Sequence, residues 1–322
     1  MKTVLLTGAA GFIGFHTAQA LAERGDRVIG LDNFNAYYDP SLKHARASIL
    51  KKKGIEVVEG DLNDRALLLR LFETYFFTDV LNLAAQAGVR YARENPQAYI
   101  ASNIDGFLSI LETLRLYPCV KLTYASSSSV YGRNEKIPFS VGDSTDKPAN
   151  LYAATKKANE LMAYSYHHLY GIAMTGLRFF TVYGPWGRPD MAYYSFTEAI
   201  LSGKPIRLFN GGKMQRDFTY IDDVVRGTLA AVDYQGEYEL FNLGNNRPVE
   251  LLTFVSILEK EIGREAVKIL EGPSPGEVET TYADISSSRE KLGFEPKTCL
   301  EEGLSRFIAW HQEKAPIKSL FL

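Results

Sequence analysis

Short apolar runs alternate with longer amphipathic stretches along the first 180 residues. Residues 3–7, 27–31, 55–58, 79–83, 120–124 and 172–180 are rich in Val, Ile, Leu and Phe and read as six strands. An amphipathic helix fills the interval up to about Arg24, where Gly25 closes it as a C-cap would. A long helix follows Pro96 and runs to about Tyr117, and another runs from about Ala149 to Tyr170. Strand alternating with helix predicts an α/β fold built on a doubly wound parallel sheet. The chain has no internal repeat and no low-complexity tract.

Past Phe180 the rhythm changes. Residues 181–191 have the glycine and proline density of a shaped loop rather than of a further βα unit. They open a second, smaller α/β domain, with a helix at 192–203, a strand at 206–209 and a helix at 221–234 that begins with Asp222 and Asp223. Residues 238–242 read as a strand returning to the main sheet, and helices around 253–262 and 300–311 finish the chain. The expected division is therefore 1–180 and 181–322, with about 217–246 packing back onto the first part.

Chemistry enters where strands end. Gly8, Gly11 and Gly14 follow the first strand and open the first helix, as in a dinucleotide-binding βαβ unit. There the backbone approaches a pyrophosphate at the helix N-terminus. Asp32 ends the second strand, at the distance expected of an acid that binds the adenosine ribose. Its charge would repel a 2'-phosphate, which favours NAD over NADP. Asp61 follows the third strand and has two readings, a hydrogen bond to an adenine amino group or an N-cap of the next helix. Ala84, Ala85 and Gln86 leave room for a cofactor over the end of the fourth strand. Ser126 to Ser129 lie just past the fifth, where ligands of open α/β sheets bind.

Tyr152 and Lys156 stand four residues apart in a helical run and share a face. A free tyrosine has a pKa of about 10 and is a poor base at neutral pH. An ammonium one turn away favours the phenolate, so the pair suits proton exchange with a substrate hydroxyl. The plain alternative is a half-buried aromatic beside a solvated lysine. The glycine turn and the serine run favour the chemical reading.

Composition adds limits. A hydrophobic content of 46%, a charged content of 23% and a formal net charge of −2 suit an ordinary globular protein, with no general attraction to nucleic acid or to an anionic membrane. Two cysteines, Cys119 and Cys299, without a Cys/His cluster, argue against a disulfide scaffold or a metal site. No apolar run reaches membrane-span length, and the first strand begins almost at Met1, so the expectation is a cytoplasmic protein.

Four marks together carry a resemblance over essentially the full length: Gly8-x-x-Gly11-x-x-Gly14, the strand-end serines with Val130-Tyr131-Gly132, Tyr152-x-x-x-Lys156, and Arg216-Asp217-Phe218. The chain resembles the extended short-chain dehydrogenase/reductase family, with its Rossmann-type sheet, and within it the nucleotide-sugar 4-epimerases. The resemblance implies Tyr152 as acid/base, Lys156 as its tuner and anchor of the nicotinamide ribose, and Ser127 on the reacting sugar hydroxyl, with Ser128 and Ser129 not separable from it. It implies NAD held along Gly8, Gly11, Phe12, Ile13, Gly14, Asp32, Asn33, Asp61, Leu62, Leu83, Ala84, Ala85 and Lys156.

Residues 178–192, with 84–91, are similar to the corresponding loops of UDP-glucuronate 4-epimerases. That likeness puts Arg188 against the sugar carboxylate, and Thr181 where neutral-sugar epimerases carry asparagine. Arg188 as a mere stiffener of the loop stays open, and Arg90 is a second candidate for phosphate or carboxylate. Arg216, just ahead of a helix start, would clamp the substrate pyrophosphate; a surface pair with Asp217 or Asp222 is the alternative. Ser274 stands where UDP-galactose epimerases have an arginine, with UDP still the expected nucleotide.

A UDP-glucose/UDP-galactose 4-epimerase is one competing reading, and a UDP-glucuronate decarboxylase is another. Decarboxylating and dehydrating relatives carry an acid immediately before Val-Tyr-Gly, where this chain has Ser129. An inert cofactor-binding relative is disfavoured because Ser127, Tyr152 and Lys156 are all present. The family also implies a homodimer through the helices at about 96–116 and 152–170.

Overall fold

The computed structural model describes residues 1–272 and 280–318; Ser274 and the stretch around it lie outside these. Seven strands form one all-parallel sheet, running across it from residues 238–243 through 174–179, 121–127, 79–82, 3–7 and 27–32 to 56–59. Its first half is β1 (Thr3–Thr7), α1 (Phe12–Glu23), β2 (Arg27–Asp32), α2 (Ser41–Lys52), β3 (Glu56–Glu59), α3 (Arg65–Tyr75) and β4 (Asp79–Asn82). The other half begins with α4 (Pro96–Tyr99), which passes through a π-helical segment, Ile100–Asp105, into α5 (Gly106–Leu116). Then come β5 (Lys121–Ser127), α6 (Leu151–Tyr170) and β6 (Met174–Phe179).

Alternate residues of β1 show the double winding. Leu5 packs with Leu68 and Phe72 of α3 and Ile110 and Leu111 of α5, on one face. Val4 and Leu6 pack with Phe15 and Ala18 of α1 and Leu50 of α2, on the other. A strand covered on both faces has no polar alternation, which is why the apolar runs were readable.

The remainder comprises β7 (Thr181–Tyr183), α7 (Ala192–Ser202), β8 (Ile206–Leu208), β9 (Gln215–Tyr220), α8 (Ile221–Asp233), β10 (Tyr238–Leu243), β11 (Pro248–Glu250), α9 (Leu251–Ile262), β12 (Lys268–Leu270), β13 (Thr280–Thr281), α10 (Ser286–Leu292) and α11 (Leu300–Lys318). β10 pairs with β6, and Val232 of α8 joins the core beneath α1. A small sheet is centred on β9, which pairs with β7, β11 and β13.

Three expectations change here. Residues 181–183 form a strand, β7, because they pair with β9. Ser126 and Ser127 lie inside β5 rather than beyond it, since that strand keeps its register with β6 through Ser127. Arg216 lies within β9, opposite Val249 of β11, and does not immediately precede a helix.

Asp217 ties the small sheet to the large one. Its buried carboxylate accepts from the backbone N–H groups of Asn245, Asn246 and Ala283 and from the Thr219 hydroxyl. Burial pushes its pKa up to about 6 despite those donors. Among the described residues, no helix is long and apolar enough to cross a membrane.

Candidate active site

A cleft of about 1000 Å³ opens over the carboxyl ends of β1, β2, β4 and β5 and reaches the small sheet. One end is the turn between β1 and α1. Gly8 has φ +71, and a Cβ there would stand 2.8 Å from the Ala84 nitrogen. A Cβ on Gly14 would stand 2.1 Å from the Gly8 oxygen. Only glycine lets this turn close so tightly while its N–H groups and the start of α1 face the cleft.

Asp32 accepts from the N–H of Ala10 and of Phe34, each at 2.9 Å, and so ties the end of β2 to the glycine turn. Burial pushes its carboxyl up, against the pull of the Phe34 N–H, Lys43, the Ala10 N–H and Arg46. Asp61 accepts from the Asn33 amide at 2.8 Å and from Asn63. It does not cap the next helix: Asp64 does, accepting from the Leu67 N–H. Those amide donors outweigh burial and hold Asp61 below the usual carboxylate range. Leu83, Ala84, Ala85 and Leu62 line the floor, and Phe12 and Ile13 the start of α1.

The other half of the cleft belongs to β5 and α6. Asn150 caps α6 by accepting from the Ala153 N–H, which places Tyr152 and Lys156 on its first two turns. Burial pushes the Tyr152 phenol up, while the Ser127 hydroxyl beside it and the Arg188 charge favour the phenolate. Lys156 donates to the Ala125 oxygen at 2.8 Å, and burial brings its pKa down to about 8 against the pull of Glu160. The pull on Tyr152 expected of Lys156 is thus exerted here by Ser127 and Arg188, because the ammonium is turned to β5.

The four serines divide. Ser126 points inward, donating to Glu160 at 2.6 Å, and Glu160 also pairs with buried Arg178 at 2.8 Å. Ser127 faces the cleft and accepts from the Ser129 N–H, closing the turn that also places Ser128 and Ser129 on the wall.

Thr181, Arg90, Arg216 and Arg188 complete the wall on the side of the small sheet. Arg90 lies over the Phe209 ring, 5.5 Å from its centre. The acids offered as surface partners of Arg216 have other roles: Asp217 holds backbone amides and Asp222 lies 3.5 Å from Arg306. Arg188 donates through Nε to Asp190 at 3.0 Å and through Nη2 at 2.5 Å. Burial works against its charge, but Asp190 holds the guanidinium firmly protonated. Tyr37 donates to the same carboxylate at 3.0 Å.

All the residues singled out from the sequence for chemistry or binding, from Gly8 to Arg216, thus line one cleft. Sequence reading missed Asp190 and Tyr37, whose contact spans 153 residues. It also missed Asn103. That side chain, on the π-helical segment, bonds Gln86 through both its N–H and its oxygen, and donates to Thr155 beside Tyr152. A π-helical turn often marks a functional site, and one extra residue per turn leaves no sequence period to find.

Residues 4–244 match the profile of the NAD dependent epimerase/dehydratase family. The chain belongs to that family. It is 55% identical to UDP-glucuronate 4-epimerase 1 of Arabidopsis thaliana over 327 residues, covering 96% of this chain and 76% of the plant protein. Among solved structures it is similar to UDP-glucuronic acid 4-epimerase of Bacillus cereus in complex with UDP-glucuronic acid and NAD. The identity there is 34% and the TM-score 0.87, over 97% of this chain and 99% of that one. UDP-glucose 4-epimerase of Thermotoga maritima, solved with UDP-glucose, is 31% identical with a TM-score of 0.88, again over 97% and 99%.

Proposed function

We infer that the chain is an NAD-dependent 4-epimerase that interconverts UDP-glucuronate and UDP-galacturonate. The observation that carries this is the juxtaposition, in one cleft, of the glycine turn and Asp32 with Tyr152, Ser127 and a charged Arg188.

The glycine turn fits a dinucleotide: without a Cβ at Gly8 or Gly14 the backbone closes tightly against Ala84 and Gly8, and a pyrophosphate can approach it at the start of α1. Gly8, Gly11 and Gly14 would hold that pyrophosphate, Asp32 the adenosine ribose, and Lys156 the nicotinamide ribose. Asn33, Asp61 and Leu62 would surround the adenine. When bound, NAD supplies the acceptor and donor of the hydride at sugar carbon 4.

Tyr152, as phenolate, takes the proton of the 4-hydroxyl and returns it to the 4-oxygen once the keto-sugar has turned to present its other face, while Ser127 steers that oxygen by hydrogen bonding. Ser128 and Ser129 extend the same donor surface. Arg216, with Arg90, would clamp the UDP phosphates. Arg188 and Thr181 would hold the sugar carboxylate, so the keto-sugar can turn without leaving its anchor. Residues beyond Phe180 then form the sugar-reading part and 1–180 the cofactor part, with 217–246 returning to the latter. Incubation of the purified protein with UDP-glucuronate, UDP-glucose and UDP-xylose, resolved by NMR, tests the assignment. Epimerisation of the acidic sugar supports it; turnover of the neutral sugars alone would refute it.

Gly14→Ala is expected to weaken cofactor retention at least about tenfold, since the added carbon meets backbone that cannot swing aside. The check is the NAD content of the purified variant against wild type.

A homodimer is the proposed assembly. Leu108 on α5 and Leu161 and Leu169 on α6 form an outward apolar stripe, and Leu161 is 60% exposed. Light scattering at micromolar concentration should return twice the chain mass, and a clean monomer would refute the assembly.

A further inference from the structure

Three consecutive carbonyl groups just ahead of Arg188 are held by side chains from the cofactor half of the molecule. His16 of α1 meets the Pro185 oxygen at 2.9 Å. Arg46 of α2 donates through Nη2 to the Trp186 oxygen at 2.6 Å and to the Gly187 oxygen at 3.2 Å. Trp186 sits at φ +59, a left-handed conformation that a bulky residue keeps only where its surroundings over-determine it. Besides the guanidinium, the rings of Phe15 and Trp310 pack on it with centres 5.5 and 5.4 Å away.

The other end of the same guanidinium faces the cofactor turn. Nη1 of Arg46 donates to the Ala10 oxygen at 2.9 Å and to the Tyr38 hydroxyl at 2.8 Å. Arg46 is wholly buried and its four hydrogen bonds all go to uncharged oxygens. A cation buried with no anion in hydrogen-bond contact, the charge of Asp32 reaching it only through space, is costly to the fold, and packing alone would be served by an apolar side chain. The residue does not line the cleft.

We propose that Arg46 is a positioning residue for substrate selection: it fixes the backbone of 185–187 so that Arg188 presents its guanidinium to the acidic sugar. By holding Ala10 with the same group, it aligns the sugar-reading loop with the glycine turn. The proposal rests on the reading of Arg188 given above. A planar fork reaching oxygens on two sides cannot be replaced by the single ammonium of lysine, so Arg46→Lys loosens the loop while keeping the charge.

The test measures dissociation constants of UDP-glucuronate and UDP-glucose by calorimetry, on holoenzyme whose NAD content is matched. Wild type, Arg46→Lys, Tyr38→Phe and Arg188→Ala are compared. Arg46→Lys should cut the preference for the acidic sugar about tenfold and leave UDP-glucose affinity within about twofold. Tyr38→Phe, which removes one of the four bonds and keeps the guanidinium, should cut the preference about threefold. Equal losses on both nucleotides, or an unchanged preference, in a folded Arg46→Lys overturns the proposal. Should that variant not fold, an unchanged preference in Tyr38→Phe overturns it equally. A preference lost in Arg188→Ala but kept in Arg46→Lys defeats only the role of Arg46. A preference kept in Arg188→Ala defeats the reading of Arg188 and this proposal with it.

Discussion

Tyr152→Phe is expected to retain both ligands and lose turnover by a factor of ~100 to 10,000, the usual worth of general acid–base catalysis. The ring stays, and so does its edge-on contact with Tyr99, whose centre lies 6.3 Å away. Only the proton carrier goes. In the structure burial pushes that phenol up, while the Ser127 hydroxyl and the Arg188 charge favour the phenolate. A substrate hydroxyl placed against Ser127 would meet a group able to accept and return a proton. The measurements are interconversion rates by NMR and UDP-sugar affinity by calorimetry. Affinity within a few-fold of wild type and a collapsed rate are expected. Near-normal turnover would show that another residue moves the proton.

The large sheet and the cofactor end of the cleft were legible because their signals are local. Gly8 to Gly14 and Asp32 lie within one βαβ unit, and Tyr152 and Lys156 on one helix, so spacing alone relates them. The small sheet was hard to read for the opposite reason. Strands of three residues such as β7 and β11 carry too few positions for a period of two, and they form only because β9 supplies edges on both sides. Arg216 was accordingly placed ahead of a helix when it sits in β9.

Partners are the second thing spacing hides. Asp190 stands two residues from Arg188, which was already chosen, yet nothing local says that its carboxylate turns back on that guanidinium. Nothing local marks Arg46 either: its role shows only where α2 lies against the 185–187 backbone, some 140 residues on. Helix α6 shows the same limit from the other side: its apolar positions were visible, but which stripe faced the sheet was not. The structure separates Ala163, wholly buried, from Leu161 and Leu169, which face outward.

Arg188→Ala should penalise UDP-glucuronate far more than UDP-glucose. The guanidinium has five N–H donors, and Asp190 takes two of them, leaving an edge for a second carboxylate. In wild type the cation therefore screens Asp190 from an acidic sugar. Truncation removes the attraction and also exposes that sugar to the uncompensated Asp190 carboxylate. The expected loss is roughly 2–5 kcal/mol for the acidic substrate, as for other truncations of one partner of a buried pair. The neutral sugar meets neither the lost attraction nor the new repulsion. A second variant, Arg188→Ala with Asp190→Asn, should recover part of the loss, since the repulsive charge is gone. The clamp also bears on the outcome of the reaction. A 4-keto uronic acid loses carbon dioxide when its carboxylate bond aligns with the π system of the ketone, and a held carboxylate is kept from that alignment. Some UDP-pentose is therefore expected among the products of Arg188→Ala. The deciding measurement is the ratio of kcat/KM for the two sugars in wild type and both variants. Equal losses on both sugars would mean that Arg188 supports its loop without reading the acid, and the glucuronate assignment would lose its main physical support.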